Sequence, residues 1–310
     1  MTTRIFIDGA AGTTGIQIRE RLAGRAEFSL ITLDEAARKD GTARAEAINA
    51  ADIVILCLPD DAARQSVAMI ANETTRVIDA STAHRVAPGW VFGLPEISGH
   101  ETVAAARFVS NPGCYSTGFI ALMAPLVRAG LVPADTQLTC NAVSGYSGGG
   151  KAMIAKYEGE GGGAPSAFRT YALTLDHKHV PEMQARSGLS HRPLFAPAVV
   201  PVYSGMIVEI PLHVGMLATK ADAAALRKAL TTHYAGSPII TVAQAHEPAT
   251  LAIEAMRETD GMRLFVFADA ASEQIRLVAA LDNLGKGASG AAVQNLNLMA
   301  GLPETTGLRL

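Results

Sequence analysis

The first 22 residues constrain the fold more than any other segment, because they carry a buried strand, a glycine-rich turn and a helix in that order. Residues 4–8 suit a buried strand, glycines follow at Gly9, Gly12 and Gly15, and residues 16–22 have helical periodicity. Glycines let the backbone approach a pyrophosphate, and the helix N-terminus supplies N–H donors to hold it. The spacing G-x-x-G-x-x-G differs from the commoner G-x-G-x-x-G, so a tight turn without a ligand is the alternative.

Strands and helices continue to alternate as far as residue 80. The predicted elements are strands over residues 28–33, 52–58 and 76–80 and a helix over residues 61–71. This alternation is typical of a doubly wound parallel sheet in an α/β protein. Such sheets bind ligands at the carboxyl ends of their strands, which predicts that Leu58, Pro59 and Ser81 line a ligand crevice.

The residues after the predicted second strand bear on the choice of dinucleotide. Asp34 lies about twenty residues past the glycines, where a carboxylate binds the ribose 2′-hydroxyl of NAD. Arg38 and Lys39 follow it closely and are able to neutralise the 2′-phosphate of NADP. This turn therefore leaves the choice between NAD and NADP open.

The second half of the chain alternates less regularly. Its predicted elements are strands over residues 137–143, 206–214, 263–268 and 274–281, helices over 221–234 and 291–299, and a glycine-rich turn over 282–290. The pattern predicts a mixed sheet in a second, α+β domain. A length of 310 residues agrees with two domains, since a domain has roughly 150 residues.

The composition argues against several classes of function. A net charge of −3 without a local cluster of Lys and Arg argues against a nucleic-acid partner. No apolar run approaches the roughly 18 residues of a membrane span, and the first residues do not resemble a signal peptide. The cysteine count of three is odd, so we expect free thiols in a reducing compartment and a cytoplasmic protein.

Cys114 follows a turn rich in helix breakers and begins an apolar stretch with helical periodicity that ends near Val127. A thiol at a helix N-terminus ionises more readily, because the unpaired N–H groups and the positive dipole end favour an anion. Cys57 and Cys140 lie within predicted strands, where cysteine usually acts as a small buried hydrophobe. Cys114 is therefore a candidate nucleophile, and a structural helix-cap residue is the alternative.

His177 and His179 lie on one face of a stretch predicted to be extended, just before a helix that Pro181 helps to start. A histidine near a helix N-terminus stays neutral more readily and is able to accept a proton from a thiol. Together with Cys114 they also match three ligands of a zinc site, but no second cysteine or carboxylate falls at metal-ligand spacing. We predict acid–base chemistry and no metal.

Residues 145–151 match the pattern G-x-x-x-x-G-K of a phosphate-binding P-loop, but Ala152 lacks the hydroxyl that ligates Mg²⁺ in that motif. A nucleotide-binding protein of the P-loop type is therefore an alternative from another class. A glycine loop with Lys151 beside it also suits a nicotinamide ring or a substrate phosphate. Arg85 adds a bidentate donor for phosphate or carboxylate, with an ordinary solvated arginine as the alternative.

Six segments together resemble the N-acetyl-γ-glutamyl-phosphate reductase family in its shorter bacterial form, within the superfamily of aspartate-semialdehyde dehydrogenases. The segments are residues 9–15, 79–81, 93–96, 111–115, 143–148 and 177–182. The resemblance spans nearly the whole chain, and Asn-Pro-Gly-Cys-Tyr and His-x-His-x-Pro-Glu are its specific parts. It implies NADP(H) as cofactor, Cys114 as nucleophile, His179 as acid/base with His177 close by, and a homo-oligomer, a tetramer or a dimer.

The resemblance also implies a division of the chain. Residues 1–113 plus 285–310 are expected to form the dinucleotide-binding domain, with the closing helix packed on it, and residues 114–284 the catalytic and oligomerisation domain. The predicted substrate-binding residues are Arg85, Asn111, Ser144, Gly145, Lys151, Tyr171, His177 and Glu182. The predicted cofactor-binding residues are Gly9, Gly12, Thr13, Thr14, Gly15, Asp34, Arg38, Leu58, Pro59, Ser81, Ser147, Gly148, Asn283 and Lys286.

The implied reaction is the reductive dephosphorylation of N-acetyl-γ-glutamyl phosphate in arginine biosynthesis. We expect the Cys114 thiolate to displace phosphate, hydride to reduce the resulting thioester, and the thiohemiacetal to collapse to an aldehyde. The nearest alternative is an aspartate-semialdehyde dehydrogenase, whose acyl phosphate carries a free ammonium group. A non-catalytic NAD(P) sensor is a further alternative, and an unreactive Cys114 would be its sign.

Overall fold

Two compact units divide the chain in the computed structural model, which describes residues 2–159, 165–218, 221–244, 248–269, 271 and 273–310. Unit 1 comprises Met1–Pro112 and Ala288–Leu308, and unit 2 comprises Gly113–Gly287 and Arg309–Leu310. The predicted boundaries assigned residue 113, residues 285–287 and the last two residues to the first domain, whereas the structure places them in unit 2. Two hydrogen bonds within unit 2 explain the last difference. The N–H of Asp260 donates to the carbonyl of Arg309, and the N–H of Arg309 donates to Oδ2 of Asp260.

The helices and strands are numbered in chain order. The first are β1 (Thr3–Asp8), α1 (Thr13–Leu22), β2 (Phe28–Ile31), α2 (Gly41–Ala50), β3 (Ile53–Leu56), α3 (Asp60–Ala68), β4 (Arg76–Asp79), β5 (Val91–Phe92), α4 (Pro95–Ser98), α5 (His100–Ala105) and β6 (Phe108–Ser110). The rest are α6 (Cys114–Arg128), β7 (Thr139–Gly145), α7 (Gly150–Glu158), β8 (Arg169–Thr170), α8 (Val180–Ser187), β9 (Leu194–Val200), β10 (Met206–His213), α9 (Ala223–His233), β11 (Ile240–Val242), β12 (Met262–Ala268), β13 (Gln274–Leu281) and α10 (Gly290–Met299). Among the described residues, no helix is both long enough and apolar enough to cross a membrane.

Unit 1 is built on a parallel sheet with the strand order β2-β1-β3-β4-β6-β5. Apolar clusters cover it: one joins the strands to α1 and α10, and another joins them to α2 and α3. Buried strands between two helical layers are typical of parallel sheets, so the predicted doubly wound dinucleotide fold is confirmed. The closing helix α10 also packs in unit 1, as the resemblance implies, with Leu296 in the same cluster as Ile5.

Several predicted boundaries in unit 1 need correction. Helix α1 begins at Thr13, three residues earlier than predicted, so the glycine turn leads directly into it. Strand β3 ends at Leu56, so half-buried Cys57 lies after the strand rather than inside it. Strands β5 and β6 were not predicted, because two or three residues are too few to show an alternating pattern.

Unit 2 contains a mixed sheet with the order β11-β12-β13-β10-β7-β9-β8, as the sequence predicted in kind. Helix α6 lies directly on the sheet: a Cβ at Gly118 would come 2.9 Å from Cγ2 of Val208 on β10. Strand β9 pairs in parallel with β7 but was not predicted, because Pro197 interrupts its apolar run. Helix α6 packs against β10 and β13 of this sheet and against α8 and α9, and all of these elements belong to unit 2.

Candidate active site

Cys114 is the first residue of α6, as predicted, and Gly113 is the N-cap. Because glycine has no side chain, Gly113 itself provides no side-chain cap for the first-turn N–H groups beside the thiol. Cys114 is half-buried, whereas the following residues of α6 are buried. Gly287 packs against it so closely that a Cβ at Gly287 would lie 2.9 Å from the Cβ of Cys114. The backbone of Gly287 therefore restricts the position of the Cys114 Cβ, from which the thiol extends.

The hydroxyl groups of two tyrosines are hydrogen-bonded to each other next to Cys114. Tyr171 Oη donates to Tyr115 Oη at 3.1 Å, and Tyr115 Oη donates to the carbonyl of Ala198 on β9 at 3.2 Å. Burial raises the pKa of Tyr171 to about 12 despite the bond to Tyr115, and the charge of a Cys114 thiolate adds to the rise. Burial, then Tyr171 and Cys114, raise the pKa of Tyr115 well above its usual value. Both phenols are therefore neutral hydrogen-bonding groups near pH 7.

His177 and His179 come together, but not through an extended stretch. His179 has helical dihedrals (φ −86°, ψ −17°) and is the N-cap of α8, and the two ring centroids lie 4.7 Å apart. Both rings face Tyr115, at centroid distances of 6.2 and 5.9 Å. The backbone N–H of His179 donates to His177 Nδ1 at 3.1 Å, which assigns the proton of a neutral His177 to Nε2. The two histidines thus differ in their hydrogen bonds: the ring of His177 accepts one, and the backbone of His179 donates it.

Glu182 on α8 reaches back to the start of α6. Its side chain is only 1% exposed, and Oε2 accepts the backbone N–H of Gly113 at 3.2 Å. Burial lowers the pKa of Arg186 one turn later, and the charge of Glu182 opposes that effect. Glu182 was predicted to bind substrate, and the structure commits one of its oxygens to the backbone that precedes the nucleophile.

The turn after β13 is organised by the buried carboxylate of Asp282. Oδ1 accepts the N–H groups of Leu284 and Gly285 at 2.7 and 3.1 Å. Oδ2 accepts the hydroxyl of Ser204 and the N–H of Glu258 at 2.9 and 2.7 Å. Four donors satisfy a charge that would be costly to bury alone. This carboxylate therefore holds the backbone at the start of the π-helical turn Gly285–Ser289, which begins three residues later.

Within that turn, Lys286 is almost fully buried and precedes Gly287, the residue that contacts Cys114. In the described part of the chain, no three His, Cys, Asp or Glu side chains are grouped to hold a metal ion.

Residues 145–151, where the sequence predicted a glycine-rich loop after a strand, form a tight turn that leads into a helix. The backbone forms a 3₁₀ turn and enters α7, and Lys151 is exposed in its first turn. The N–H of Gly145 donates to the carbonyl of Gly205, and a Cβ at Gly145 would lie 2.7 Å from the carbonyl oxygens of Val202 and Tyr203. Close packing against residues 202–205 explains this glycine, and its N–H is not directed at an anion.

Ser144, Ser147, Gly148 and Asn283 do meet inside unit 2. Asn283 Nδ2 donates to Ser147 Oγ, and its Oδ1 accepts the N–H of Gly205, both at 2.9 Å. A Cβ at Gly148 would lie 3.5 Å from both Asn283 Nδ2 and Ser144 Oγ. The side chain of Asn283 therefore connects the 3₁₀ turn at Ser147 to the backbone at Gly205.

The glycine turn of unit 1 fits a pyrophosphate. Gly9 has φ +90°, and a Cβ there would collide with the carbonyl oxygen of Cys57, while a Cβ at Gly15 would lie 2.8 Å from Cα of Ala10. Gly12 is the N-cap of α1, and a Cβ built there would make only ordinary van der Waals contacts, the nearest at 3.4 Å from the carbonyl oxygen of Gly9. Thr13 and Thr14 follow without a carboxylate to repel an anion. The first and last glycines close the turn, and Gly12 leaves the helix end accessible.

Asp34 and Arg38 are both exposed and belong to one turn. Asp34 Oδ1 accepts the N–H of Ala37 at 2.8 Å, and Arg38 Nε donates to the carbonyl of Asp34 at 3.2 Å. One oxygen of the acidic group therefore stabilises the turn itself, and the turn holds the guanidinium beside it.

Ser81 belongs to a buried polar network at the carboxyl end of β4. Its hydroxyl donates to Asp79 Oδ2 at 2.7 Å, and Nδ1 of His84 lies 2.6 Å from the same oxygen. Asp79 is fully buried, and the ring of His84 stacks on Trp90 at 4.1 Å. Leu58 and Pro59 lie at the carboxyl end of the neighbouring β3 and lead into α3, where the sequence predicted them.

Arg85 is buried, so the interpretation of a solvated loop arginine is wrong. Its Nε donates to the carbonyl of Asn111 at 3.0 Å and its Nη2 to the carbonyl of Ala80 at 3.3 Å. The side chain of Asn111 is held by Asn295, which donates to Oδ1 at 3.1 Å, and by the carbonyl of Ala288. Arg85 and Asn111 are thus brought together within unit 1.

Two family models match the chain. Residues 4–105 match the NAD-binding domain of semialdehyde dehydrogenases, and residues 114–283 match their dimerisation domain. An N-acetyl-γ-glutamyl-phosphate reductase of Chelativorans sp. is 51% identical, over 96% of this chain and 98% of its own length. The chain belongs to the N-acetyl-γ-glutamyl-phosphate reductase family. The reductase 2 of Pseudomonas putida is 50% identical over 99% of both chains, and the family resemblance found in the sequence is confirmed.

Solved structures of a second enzyme are similar to this chain in fold. The aspartate semialdehyde dehydrogenase II of Vibrio cholerae, complexed with ASA, has a TM-score of 0.73 and 17% identity over 97% of this chain and 99% of its own. That of Francisella tularensis has a TM-score of 0.71 and 11% identity over 96% of this chain and all of its own. At such low identity the similarity establishes the fold alone.

Some residues that the structure describes next to predicted site residues were not themselves predicted. In unit 2 they include Tyr115, Asp282 and Gly287, and in unit 1 they include Asn295, which holds Asn111. Asp282 carried a usable signal, because an acidic residue between a buried strand and a glycine-rich turn has backbone N–H groups to accept. Tyr115 and Asn295 gave none, because their partners on β9 and in the turn before α6 are distant in sequence.

Proposed function

We propose that this chain reduces N-acetyl-γ-glutamyl phosphate to N-acetylglutamate semialdehyde with NADPH and releases phosphate, the step that serves arginine biosynthesis. The position of Cys114 at the N-terminus of α6, with two histidines grouped around its neighbour Tyr115, carries the proposal. The names of relatives that are about half identical over nearly the whole chain support the choice of substrate.

The first step is the formation of a nucleophile. The N–H groups and positive dipole end of α6 stabilise the Cys114 thiolate, and a neutral imidazole takes the proton. His179 suits that role better than His177, because Nδ1 of His177 already accepts a backbone N–H. We therefore assign the acid/base to His179.

The second step forms a covalent intermediate. The sulfur of Cys114 attacks the acyl carbon, a C–S bond forms, and the bond from that carbon to the phosphate oxygen breaks. Phosphate leaves as a stabilised anion and needs little acid assistance. The product is a thioester on Cys114.

Gly9, Gly12 and Gly15, with the first turn of α1, would hold the dinucleotide, which supplies the hydride when bound. The first-turn N–H groups of α6 and His179 then stabilise the oxyanion of the thiohemiacetal on Cys114. Its collapse breaks the C–S bond, releases the aldehyde and regenerates the thiolate. Arg38 and Lys39 near the predicted 2′ position support NADPH over NADH, since one oxygen of Asp34 already binds the turn.

We further propose that the enzyme is a cytoplasmic homo-oligomer, a tetramer or a dimer. The family model that matches residues 114–283 is described as a dimerisation domain, which supports self-association. Free cysteines at 57, 114 and 140 suit a reducing compartment.

A substrate comparison tests the proposal. With phosphate and NADP⁺, the purified protein should oxidise N-acetylglutamate semialdehyde with a kcat/KM at least about 10²-fold above that for aspartate semialdehyde, because buried polar groups discriminate by such factors. Cys114→Ser should bind NADPH by fluorescence titration but lose at least about 10³-fold in kcat. Cys140→Ala, a buried cysteine of β7, is the matched control and should keep its activity.

Two results would contradict this proposal. A preference for aspartate semialdehyde would assign the chain to the other dehydrogenase activity. Appreciable turnover by Cys114→Ser would exclude the covalent mechanism.

A further inference from the structure

Glu182 is a nearly completely buried carboxylate to which the proposed mechanism gives no role. Burying a carboxylate is costly unless hydrogen bonds satisfy it. One of its bonds goes to the backbone N–H of Gly113 at 3.2 Å, the residue directly before the nucleophile. The carboxylate therefore acts on the backbone of the site.

The carbonyl and the N–H of Gly113 are held by different elements. Glycine has more backbone freedom than any other residue, and Gly113 adopts an extended conformation (φ −75°, ψ 149°) before α6. Its carbonyl is held by its own helix, because the hydroxyls of Ser116 and Thr117 donate to it at 3.0 and 2.9 Å. Its N–H bonds instead to a different element, α8.

Helix α8 also carries the acid/base. His179 is the N-cap of α8, and Glu182 lies three residues later on the first turn of the same helix. A bond from Glu182 to Gly113 therefore ties the element that positions His179 to the backbone that positions Cys114. A displacement of about 1 Å between reacting groups can lower the rate roughly 10²-fold. A hydrogen bond that holds Cys114 and His179 in a fixed relative position therefore affects catalysis.

We propose that Glu182 is a positioning residue that fixes the nucleophile relative to the acid/base by accepting the N–H of Gly113. The inference rests on the proposed function in one respect, the role of Cys114 as nucleophile. It assigns Glu182 to the enzyme's backbone rather than to the substrate.

The charge of Glu182 has a second, measurable consequence. A carboxylate close to a thiol disfavours the thiolate, so removing this charge should lower the pKa of Cys114. Among the described residues, the other titratable or charged groups on the elements that carry this site are Tyr115 and Arg128 on α6, His179 and Arg186 at α8, and Asp282 and Lys286 in the turn after β13. Tyr171 and His177 are ring or hydroxyl neighbours of Tyr115. A substitution at Glu182 alone leaves these groups in place.

Two substitutions separate the acceptor from the charge. Glu182→Gln keeps an oxygen that accepts the N–H of Gly113, so kcat should stay within about tenfold of the wild type. The pH midpoint of Cys114 alkylation by iodoacetamide, followed by peptide mass spectrometry without substrates, should fall by about one unit. Glu182→Ala removes the acceptor as well, and its kcat should fall roughly 10- to 100-fold while KM changes less than about threefold.

Glu254→Gln is the matched control, because it removes an exposed carboxylate from the same unit, and it should change neither quantity. Equal kcat values for the Gln and Ala variants would overturn the positioning role. An unchanged alkylation midpoint in Glu182→Gln would show that the carboxylate does not act on the nucleophile. Since alkylation needs no substrate, these results are distinct from a failure of the proposed substrate or of the covalent mechanism.

Discussion

At the scale of single residues, His177 and His179 show how the same side chain acquires two roles. Their order and spacing identified both as candidates, and the residue types alone left them equivalent. The difference comes from one bond, in which the backbone N–H of His179 occupies Nδ1 of His177. That bond depends on the helical dihedrals of His179, which the sequence did not predict. The motif therefore drew attention to both histidines, and the backbone geometry distinguishes their hydrogen bonds.

Substitution of each histidine should separate these roles. His179→Ala removes the proposed acid/base, so kcat should fall roughly 10²- to 10⁴-fold and the acidic limb of the pH–rate profile should change. His177→Ala leaves that group in place, and its main effect should be on KM, with kcat reduced less than about tenfold. Steady-state kinetics from pH 6 to 9 measure both. A larger loss of kcat in His177→Ala would transfer the acid/base role to His177.

At the scale of elements, the turn that follows β13 contributes to the nucleophile's position. The sequence predicted the strand and the glycine-rich turn with their residues, but a turn's partner is not encoded locally. Gly287 meets Cys114, about 170 residues earlier in the chain, only because β13 and α6 pack in one unit. The packing of Gly145 against residues 202–205 likewise joins segments that are distant in sequence, so the glycine-rich pattern alone did not indicate it.

Gly287→Ala tests this contact. The added Cβ would lie 2.9 Å from the Cβ of Cys114 and 3.0 Å from the carbonyl of Asp282, so the thiol or the turn must shift. We expect kcat to fall roughly 10- to 100-fold, with a loss of about 1–3 kcal/mol in the free energy of unfolding. Gly215→Ala is the control, because a Cβ there meets no atom within 4 Å. If both variants were equally active, the contact with Gly287 would not position Cys114.

At the scale of the whole molecule, the class and number of units followed from periodicity and length, because buried parallel strands and alternating helices leave a strong pattern. Short edge strands such as β5 and β8 leave none. Burial of ionisable side chains is a further global property that the sequence does not specify. Burial raises the pKa values of Tyr115, Tyr171 and Cys140 above their usual ranges.

This burial predicts a loss of stability in alkaline solution. Unfolded tyrosine and cysteine side chains ionise near pH 10 and 8.5, whereas the folded protein keeps these protons to higher pH. The unfolded state therefore binds fewer protons, and the free energy of unfolding should fall above about pH 8.5 by at most about 1.4 kcal/mol per pH unit for each group. Urea unfolding midpoints from pH 7 to 11 measure this fall. Tyr171→Phe should flatten it above about pH 10, and an unaltered slope would mean that Tyr171 ionises normally.

The division of unit 1 into two stretches of chain has a consequence for biosynthesis. Apart from Arg309–Leu310, unit 2 is one continuous segment, Gly113–Gly287, whereas unit 1 needs Ala288–Leu308 to supply α10 to its core. During translation, the unit that begins first is therefore completed last. Until α10 leaves the ribosome, the apolar cluster that includes Ile5 and Ile18 lacks Ala292, Leu296 and Met299. While the segment that bears Cys114 is synthesised, the nascent chain must therefore carry a complete parallel sheet whose cluster with α1 still lacks its α10 residues.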